Sequence, residues 1–318
     1  MSMMNTKKMI VLAGPTASGK TGLSLALAKI LDGEIISADS MQVYEGMDIG
    51  TAKISREEME GIPHHLINIA KPSETFNIVS FQRLAKKAAA DIFSRGKTPI
   101  VVGGTGFYIQ SLLYDIDFQR EEGDAKLRQD LEREYDAAGS AAFLERVRAV
   151  DPVSAANIHP NNKRRMVRAM EYYLRNHVPI SAHNESQKQK KPSYPHVFFV
   201  LCPPREILYQ RINERVEEML QGGLVEEVQG LLDGGLDEGT QSMEGIGYKE
   251  IAAALLGKIS MDQAKELLKQ NTRHYAKRQI TWFKREKGAI WLDPLSFESR
   301  EALLNHIIER VSHESESI

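Results

Sequence analysis

The chain has a single cysteine, Cys202, among 318 residues, which excludes an intramolecular disulfide and fits a reducing compartment. With no second thiol, and His64-His65 as the one adjacent histidine pair, no cluster has the spacing of a zinc site. Long apolar runs are missing too. None approaches the ~20 residues that a membrane-spanning helix needs, so no membrane association is expected. Met1 to Lys8 is short and polar, unlike a signal peptide, and the expected location is the cytoplasm. Internal repeats, heptads and unpartnered apolar stripes are absent, which leads to the expectation of a monomer.

Excess charge of one sign is also missing: 41 Lys and Arg face 43 Asp and Glu. The balance hides a segregation. Between Asn161 and Lys191 stand eight basic residues (Lys163, Arg164, Arg165, Arg168, Arg175, Lys188, Lys190 and Lys191) against Glu171 and Glu185. Eight more lie between Lys265 and Lys287, against Glu266 and Glu286, while Glu206 to Glu250 is strongly acidic. Two basic stretches in a near-neutral chain suggest a polyanion held at defined places, or else two solvated helix faces.

What the chain does have is Gly14-Pro-Thr-Ala-Ser-Gly-Lys20-Thr21, which fits G-x-x-x-x-G-K-[ST]. The apolar run Met9 to Ala13 reads as a buried strand before it, and Leu23 to Leu31 as a helix after it. Glycines let the backbone wrap a phosphate chain, loop and helix amides point at it, Lys20 adds charge and Thr21 can ligate Mg²⁺. The motif specifies a bound di- or triphosphate, ATP among the candidates, but not its fate. No apolar run ends in the Asp of an ordinary Walker B site, and no residue obviously places a water against a γ-phosphate. Both absences weaken an NTPase reading.

The first ~115 residues alternate strands and helices, which argues for a parallel sheet with helices on both faces. Strands are expected at Glu34–Ser37 and Pro99–Gly104, with a helix over Phe81–Phe93. From Arg120 to Arg175 the chain turns helical, charged and β-poor. Ser181 to Lys191 is too polar to pack and reads as an irregular, mobile stretch. Val197–Leu201 then resumes a buried strand, so a helical domain is inserted into the sheet domain. Helices follow over Arg205–Gln221, Leu224–Leu232, Tyr248–Leu256 and Met261 to about Glu286, with a last short strand at Ala289–Leu292.

In open α/β sheets ligands sit at the carboxyl ends of strands. Asp39 follows the second strand and is aimed at the same crevice as the phosphate loop. It can act as a general base, ligate Mg²⁺, or simply cap a turn. Gly103-Gly104-Thr105-Gly106 closes the next expected strand and offers a hydroxyl there. Arg205, Arg211 and Arg215 lie on the acidic helix, where one can reach a phosphate or pair with Glu at i,i+4. Arg273 to Arg285 interleaves basic residues with aromatics, which suits RNA; Trp282 and Phe283 read rather as core anchors.

Together with Asp39-Ser-Met-Gln-Val-Tyr44, Gly46-Met-Asp-Ile-Gly-Thr-Ala-Lys53, Pro63-His-His-Leu66, Val101-Val-Gly-Gly-Thr-Gly-Phe-Tyr108, Arg211 to Leu220, Gly245-Ile-Gly-Tyr-Lys249 and Lys277-Arg-Gln-Ile-Thr-Trp282, the phosphate loop makes the chain resemble the tRNA dimethylallyltransferase (tRNA isopentenyltransferase) family. The matches span nearly the whole chain, which is similar to the bacterial form, without the zinc finger that some eukaryotic relatives append. The resemblance implies a P-loop NTPase-like parallel sheet flanked by helices. Residues 1–119 and 192–318 would form the core with C-terminal helices, and residues 120–191 an inserted, tRNA-binding helical domain.

It further implies transfer of a dimethylallyl group from its diphosphate to the exocyclic amine of the adenosine 3′ of the anticodon, in tRNAs reading codons that begin with U. Partners would be the donor and the tRNA anticodon stem-loop, with Mg²⁺ as cofactor. On this resemblance Gly14, Pro15, Thr16, Ala17, Ser18, Gly19, Lys20 and Thr21 hold the diphosphate, and Thr21 also Mg²⁺. Asp39 takes the amine proton, while Lys20 and Arg215 stabilise the leaving diphosphate. Thr105 contacts the adenosine, as do Asp39, Ser40, Met41 and Gln42. Lys163, Arg164, Arg165, Met166 and Val167 grip the stem-loop from one side. Lys277, Arg278, Gln279, Thr281 and Lys284 grip it from the other. Glu244 stands where some relatives carry a basic residue. A small-molecule or nucleoside kinase using ATP, and an RNA-stimulated NTPase, are the competing readings, and both would require γ-phosphate chemistry.

Overall fold

In the computed structural model, which describes residues 8–118, 125–188 and 190–313, the run Met9–Ala13 is fully buried and forms strand β1. It leads through α1 (Lys20–Ile30), β2 (Gly33–Ser37), β3 (His64–His65), α2 (Ile78–Ser94) and β4 (Thr98–Gly103) to α3 (Gly106–Leu113). A helical stretch follows: α4 (Ala125–Ala138), α5 (Ser140–Val150), α6 (Pro152–Asn157), α7 (Lys163–Asn176) and α8 (Ile180–Lys188). The chain then resumes with β5 (His196–Leu201), α9 (Arg205–Gln221), α10 (Leu224–Asp233) and α11 (Tyr248–Leu255). It closes with α12 (Met261–Phe283), β6 (Ile290–Leu292) and α13 (Arg300–His313).

The six strands are all parallel in the order β3-β2-β4-β1-β5-β6, with Ile10 opposite both Ile100 and Val197. Strands of such a sheet are covered on both faces, which is why they read as unbroken apolar runs. One face carries Ile10, Leu12, Ile35, Ile100 and Phe199, packed under Leu23 and Leu27 of α1 and Leu303 and Ile307 of α13. Period-two alternation turns Phe198 to the other face, where it meets Phe283 of α12 at 6.3 Å between ring centroids. Phe283 is thus a core anchor, while Trp282 is half-buried. Three elements were not expected: β3, too short to show periodicity, α3 and α13.

The chain divides into two compact units, Met1–Leu113 with Ser193–Ile318, and Tyr114–Pro192. The second unit starts at Tyr114 rather than at Arg120, which lies outside the described residues. At the junction, Ser193 N donates to Leu113 O at 2.7 Å, so the strand-bearing unit holds its two cut ends side by side. The inserted unit has its own core, built from Leu131, Phe143, Val147, Met166, Val167 and Met170. The expectation of an irregular stretch over Ser181 to Lys191 is corrected: Ile180–Lys188 is helix α8, and Gln189 lies outside the described residues. Contacts from outside the stretch account for this, buried Asp151 among them. Its carboxylate accepts from Ser181 N (3.0 Å) and Oγ (2.7 Å) while capping α6 through Ser154 N (2.8 Å).

Glu34, 2 % exposed at the start of β2, accepts from both terminal nitrogens of Arg95 and from His65 Nε2 at 2.8 Å, with Lys97 Nζ at 3.3 Å. The Arg95 hydrogen bonds hold its carboxyl down from 4.5 to about 2. The folded value lies below the unfolded one, so this stabilisation is fully present above pH 4.5 and is lost as pH falls towards 2. Glu34→Gln is expected to cost about 2 kcal/mol at neutral pH and distinctly less near pH 3. Urea melts of both proteins at the two pH values check this, and an equal cost at both would contradict it.

Candidate active site

The carboxyl ends of β1, β2 and β4 open onto a cavity of about 610 Å³. Its floor is the phosphate loop from Thr16 to Thr21, running into the first turn of α1. Asp39 to Gln42, after β2, form one wall, with Gly50 to Ala52 and Glu244 to Ile246. Ile212, Arg215, Val216 and Met219 of α9 line it as well, with Gly103 and Gly104 at the β4 end and Leu268, Tyr275, Arg278 and Gln279 of α12. Alternation of β-strand and helix therefore delivers cation, carboxylate and apolar wall to one crevice, as expected for an open parallel sheet.

Lys20 Nζ donates to Gly14 O (2.9 Å), Pro15 O (2.6 Å) and Ser18 Oγ (3.3 Å). Gly14 and Pro15 lie beneath the loop rather than on the cavity surface and contribute these carbonyls. Burial and the neighbouring Arg215 charge bring the Lys20 ammonium down to about 7, against the opposing pull of Asp39. Burial likewise lowers the Arg215 guanidinium. Thr21 is exposed in the first turn of α1. Arg205 stacks over Tyr209 at 4.9 Å and neither it nor Arg211 lines the cavity, so of the three arginines only Arg215 does.

Asp39 is both a cap and a cavity residue. Its Oδ1 accepts from Met41 N (2.8 Å) and Gln42 N (3.3 Å), which fixes the turn and leaves Oδ2 without a hydrogen bond among the described residues. Thr105 does not line the cavity. Its Oγ1 accepts from Ser40 N at 3.2 Å, and it hydrogen-bonds the Tyr275 hydroxyl from behind that wall. Burial and the Asp39 charge push the Tyr275 phenol up to about 12, so it remains a donor at neutral pH.

Several residues expected to touch RNA do not present their side chains. Met166 and Val167, 0 % and 1 % exposed, belong to the core of the inserted unit, where the spacing of α7 turns them inward. Gln279 lines the cavity but is only 5 % exposed, and it is bonded at both ends within the strand-bearing unit. Thr281 donates to Lys277 O at 2.9 Å. Lys277, Thr281 and Lys284 are exposed along α12, and Arg278 reaches the cavity. Arg164 and Arg165 are exposed on the first turn of α7, and Lys163 pairs with Asp136 at 2.6 Å.

Two cavity supports escaped the sequence. Glu227 of α10 accepts from the successive amides of Asp48 (2.8 Å), Ile49 (2.8 Å) and Gly50 (3.0 Å), and from the Tyr248 hydroxyl (2.6 Å). Lys53 Nζ donates to Tyr44 O (2.6 Å), Asp48 Oδ1 (2.6 Å) and Asn68 Oδ1 (2.7 Å). Both pin the segment that carries Gly50 to Ala52. In an acidic, charged sequence neither stands out from solvated neighbours.

The sequence model of the IPP transferase family matches residues 42–286, and that of isopentenyl transferase matches residues 7–74. A tRNA dimethylallyltransferase of Lachnoclostridium phytofermentans is 50 % identical over 301 residues, 95 % of this chain and 96 % of that one. One from Geobacillus thermodenitrificans is 50 % identical over 288 residues, 91 % of each chain. Among solved structures, the tRNA delta(2)-isopentenylpyrophosphate transferase of Staphylococcus epidermidis is 45 % identical. It superposes with a TM-score of 0.71 over 97 % of this chain and 99 % of that one. A eukaryotic dimethylallyltransferase acting on tRNA, 33 % identical, gives 0.76 over 90 % and 74 %. The two family models together span residues 7–286, the relatives cover nearly the whole chain, and the chain belongs to the IPP transferase family.

Proposed function

We propose that this enzyme transfers a dimethylallyl group from dimethylallyl diphosphate to the N6 amine of the adenosine 3′ of the anticodon in tRNAs reading codons that begin with U. The observation that carries the reading is the cavity itself. Lys20 of the phosphate loop and Arg215 line it, Asp39 stands at the end of β2, separated from β1 by β4, and Ile212, Val216, Met219, Ile246 and Leu268 offer an apolar wall to a five-carbon chain. The N6 lone pair forms a bond to the allylic carbon as the carbon–oxygen bond to diphosphate breaks with its electron pair. The N6 proton passes to the Asp39 carboxylate. An adenine amine is a weak nucleophile and an allylic carbon tolerates positive charge, so the charge that most needs stabilising grows on the departing diphosphate. Loop amides, Lys20 and Arg215 meet it there. The adenine must leave its stack to enter the cavity, at a cost of a few kcal/mol offset by contacts around it.

Mg²⁺ fits this site as a guest of the diphosphate. Among the described residues no group of three His, Cys, Asp or Glu could hold a metal, and the exposed Thr21 hydroxyl sits beside the loop. Thr21 would complete a shell supplied mainly by diphosphate and water, and the ion would neutralise charge on the leaving group. The exposed cations of α12 and of the first turn of α7 suit the phosphates of the stem-loop. Among the described residues no helix is long and apolar enough to cross a membrane, which accords with activity in the cytoplasm.

Incubation with labelled dimethylallyl diphosphate, Mg²⁺ and unmodified tRNA is expected to give dimethylallyladenosine on nucleoside mass analysis, with no need of ATP. Release or transfer of the γ-phosphate of ATP, without nucleoside modification, would overturn the reading in favour of a kinase or NTPase.

A further inference from the structure

Gln279 sits on α12 between the exposed Lys277 and Thr281 but turns inward, where it lines the cavity. Its Oε1 accepts from Thr16 N at 2.9 Å, and its Nε2 donates to Gly104 O at 3.0 Å. Thr16 belongs to the phosphate loop. Gly104 closes the β4 end, next to Thr105, whose hydroxyl holds the Ser40 amide beside Asp39. A single side-chain amide therefore joins the half of the cavity that would hold diphosphate to the half that would hold the acceptor base.

The fit is built for this residue. A Cβ at Gly104 would lie 2.0 Å from Gln279 Nε2, and one at Gly106 would lie 2.0 Å from Trp282 Cδ1, three positions further along the same helix. Strand end and helix are thus keyed together by two glycines opposite two side chains of α12. The bond to Thr16 also has a chemical consequence. Phosphate loops hold anions with convergent backbone amides, yet here the Thr16 amide is committed to a side chain from the far end of the chain. The opening of the loop is thereby set from α12.

We infer that Gln279 is a positioning residue, which fixes the separation between the diphosphate loop and the Asp39–Thr105 wall and makes no contact with RNA. The inference rests on the proposed transfer reaction. Gln279→Met keeps length and volume while removing both of these hydrogen bonds and the one shared with the Tyr275 hydroxyl. Freeing the loop by about 1 Å is expected to slow single-turnover transfer about 10²-fold with both substrates saturating. Pyrophosphate affinity should weaken and tRNA affinity should not. Gly104→Ala, whose methyl group displaces the same amide, should reproduce this pattern. Because both changes break one linkage, the double variant should be no slower than the worse single variant.

Losses that multiply in the double variant would overturn the inference. So would a Gln279→Met protein with weakened tRNA binding and wild-type transfer at saturation, the signature of an RNA contact. The pyrophosphate-binding cycle among the four proteins needs no transfer activity. It tests the linkage even if the wild-type protein modifies no tRNA, which would be a failure of the proposed reaction instead.

Discussion

Asp39→Asn is expected to leave both substrates bound and to slow transfer by about 10²–10⁴-fold, the range for losing a general base. Asparagine keeps an acceptor at the Oδ1 position, so the bonds from Met41 N and Gln42 N survive and the turn stays in place. What disappears is the carboxylate able to take the N6 proton. Asp39→Ala removes both functions, and it should add a loss of tRNA affinity as the Ser40–Gln42 wall loosens. Single-turnover rates measured beside tRNA binding separate the two variants. Near-normal transfer by Asp39→Asn would reduce this carboxylate to a cap.

The second large effect belongs to Lys20. Lys20→Met is expected to weaken donor binding and to lower turnover by about 10²–10³-fold together, since a cation on the diphosphate serves ground and transition states alike. The ammonium stands at about 7 in the free protein, and a bound diphosphate raises it. Below pH 7 the lysine is already charged, so its contribution to donor affinity is full and flat there. Above pH 7 the contribution declines as the free protein loses the proton. Titrations of pyrophosphate between pH 6 and 9 should show this decline in the wild type over and above that in Lys20→Met.

The same lowered value has the opposite meaning for folding. An ammonium that falls from 10.5 to about 7 is a cost to the folded state, absent above pH 10.5 and complete below 7. Lys20→Met should therefore melt higher than wild type at neutral pH while binding the donor worse. A lower melting temperature would show that the contacts to Gly14, Pro15 and Ser18 outweigh the desolvation.

How much of this was legible in the sequence depends on whether a feature is local. The phosphate loop between a buried run and a helix was readable, because strand, glycines, lysine and helix follow one another without interruption. Asp39 could be placed in the crevice from its position after a strand, but not assigned, since capping and catalysis use the same residue type in the same place. The structure shows it lining the cavity and capping at once. Direction was harder than location. Met166, Val167 and Gln279 lie in basic helical stretches, and the stretch drew them towards RNA, whereas their individual faces turn them into the protein. For α7 the spacing of Met166, Val167 and Met170 held the signal. For Gln279 and Glu227 nothing local did, because their partners lie on distant segments that meet only in the folded chain. Ser181–Lys188 shows the converse: a composition too polar to pack by itself is held by partners outside it, the buried Asp151 carboxylate and the Asp117 backbone among them.

The hydrogen bond from Ser193 N to Leu113 O bears on how this architecture can vary. Because the core brings those two residues together through its own packing, whatever is strung between them has its ends fixed in advance. Doubling the length of such an excursion adds only about 0.6 kcal/mol of closure entropy. The point where Tyr114–Pro192 leaves the sheet is thus a socket: a shorter, longer or unrelated module could be spliced there while β4 and β5 keep their register against β1. The unit that carries the cavity can be inherited intact while the inserted unit is exchanged.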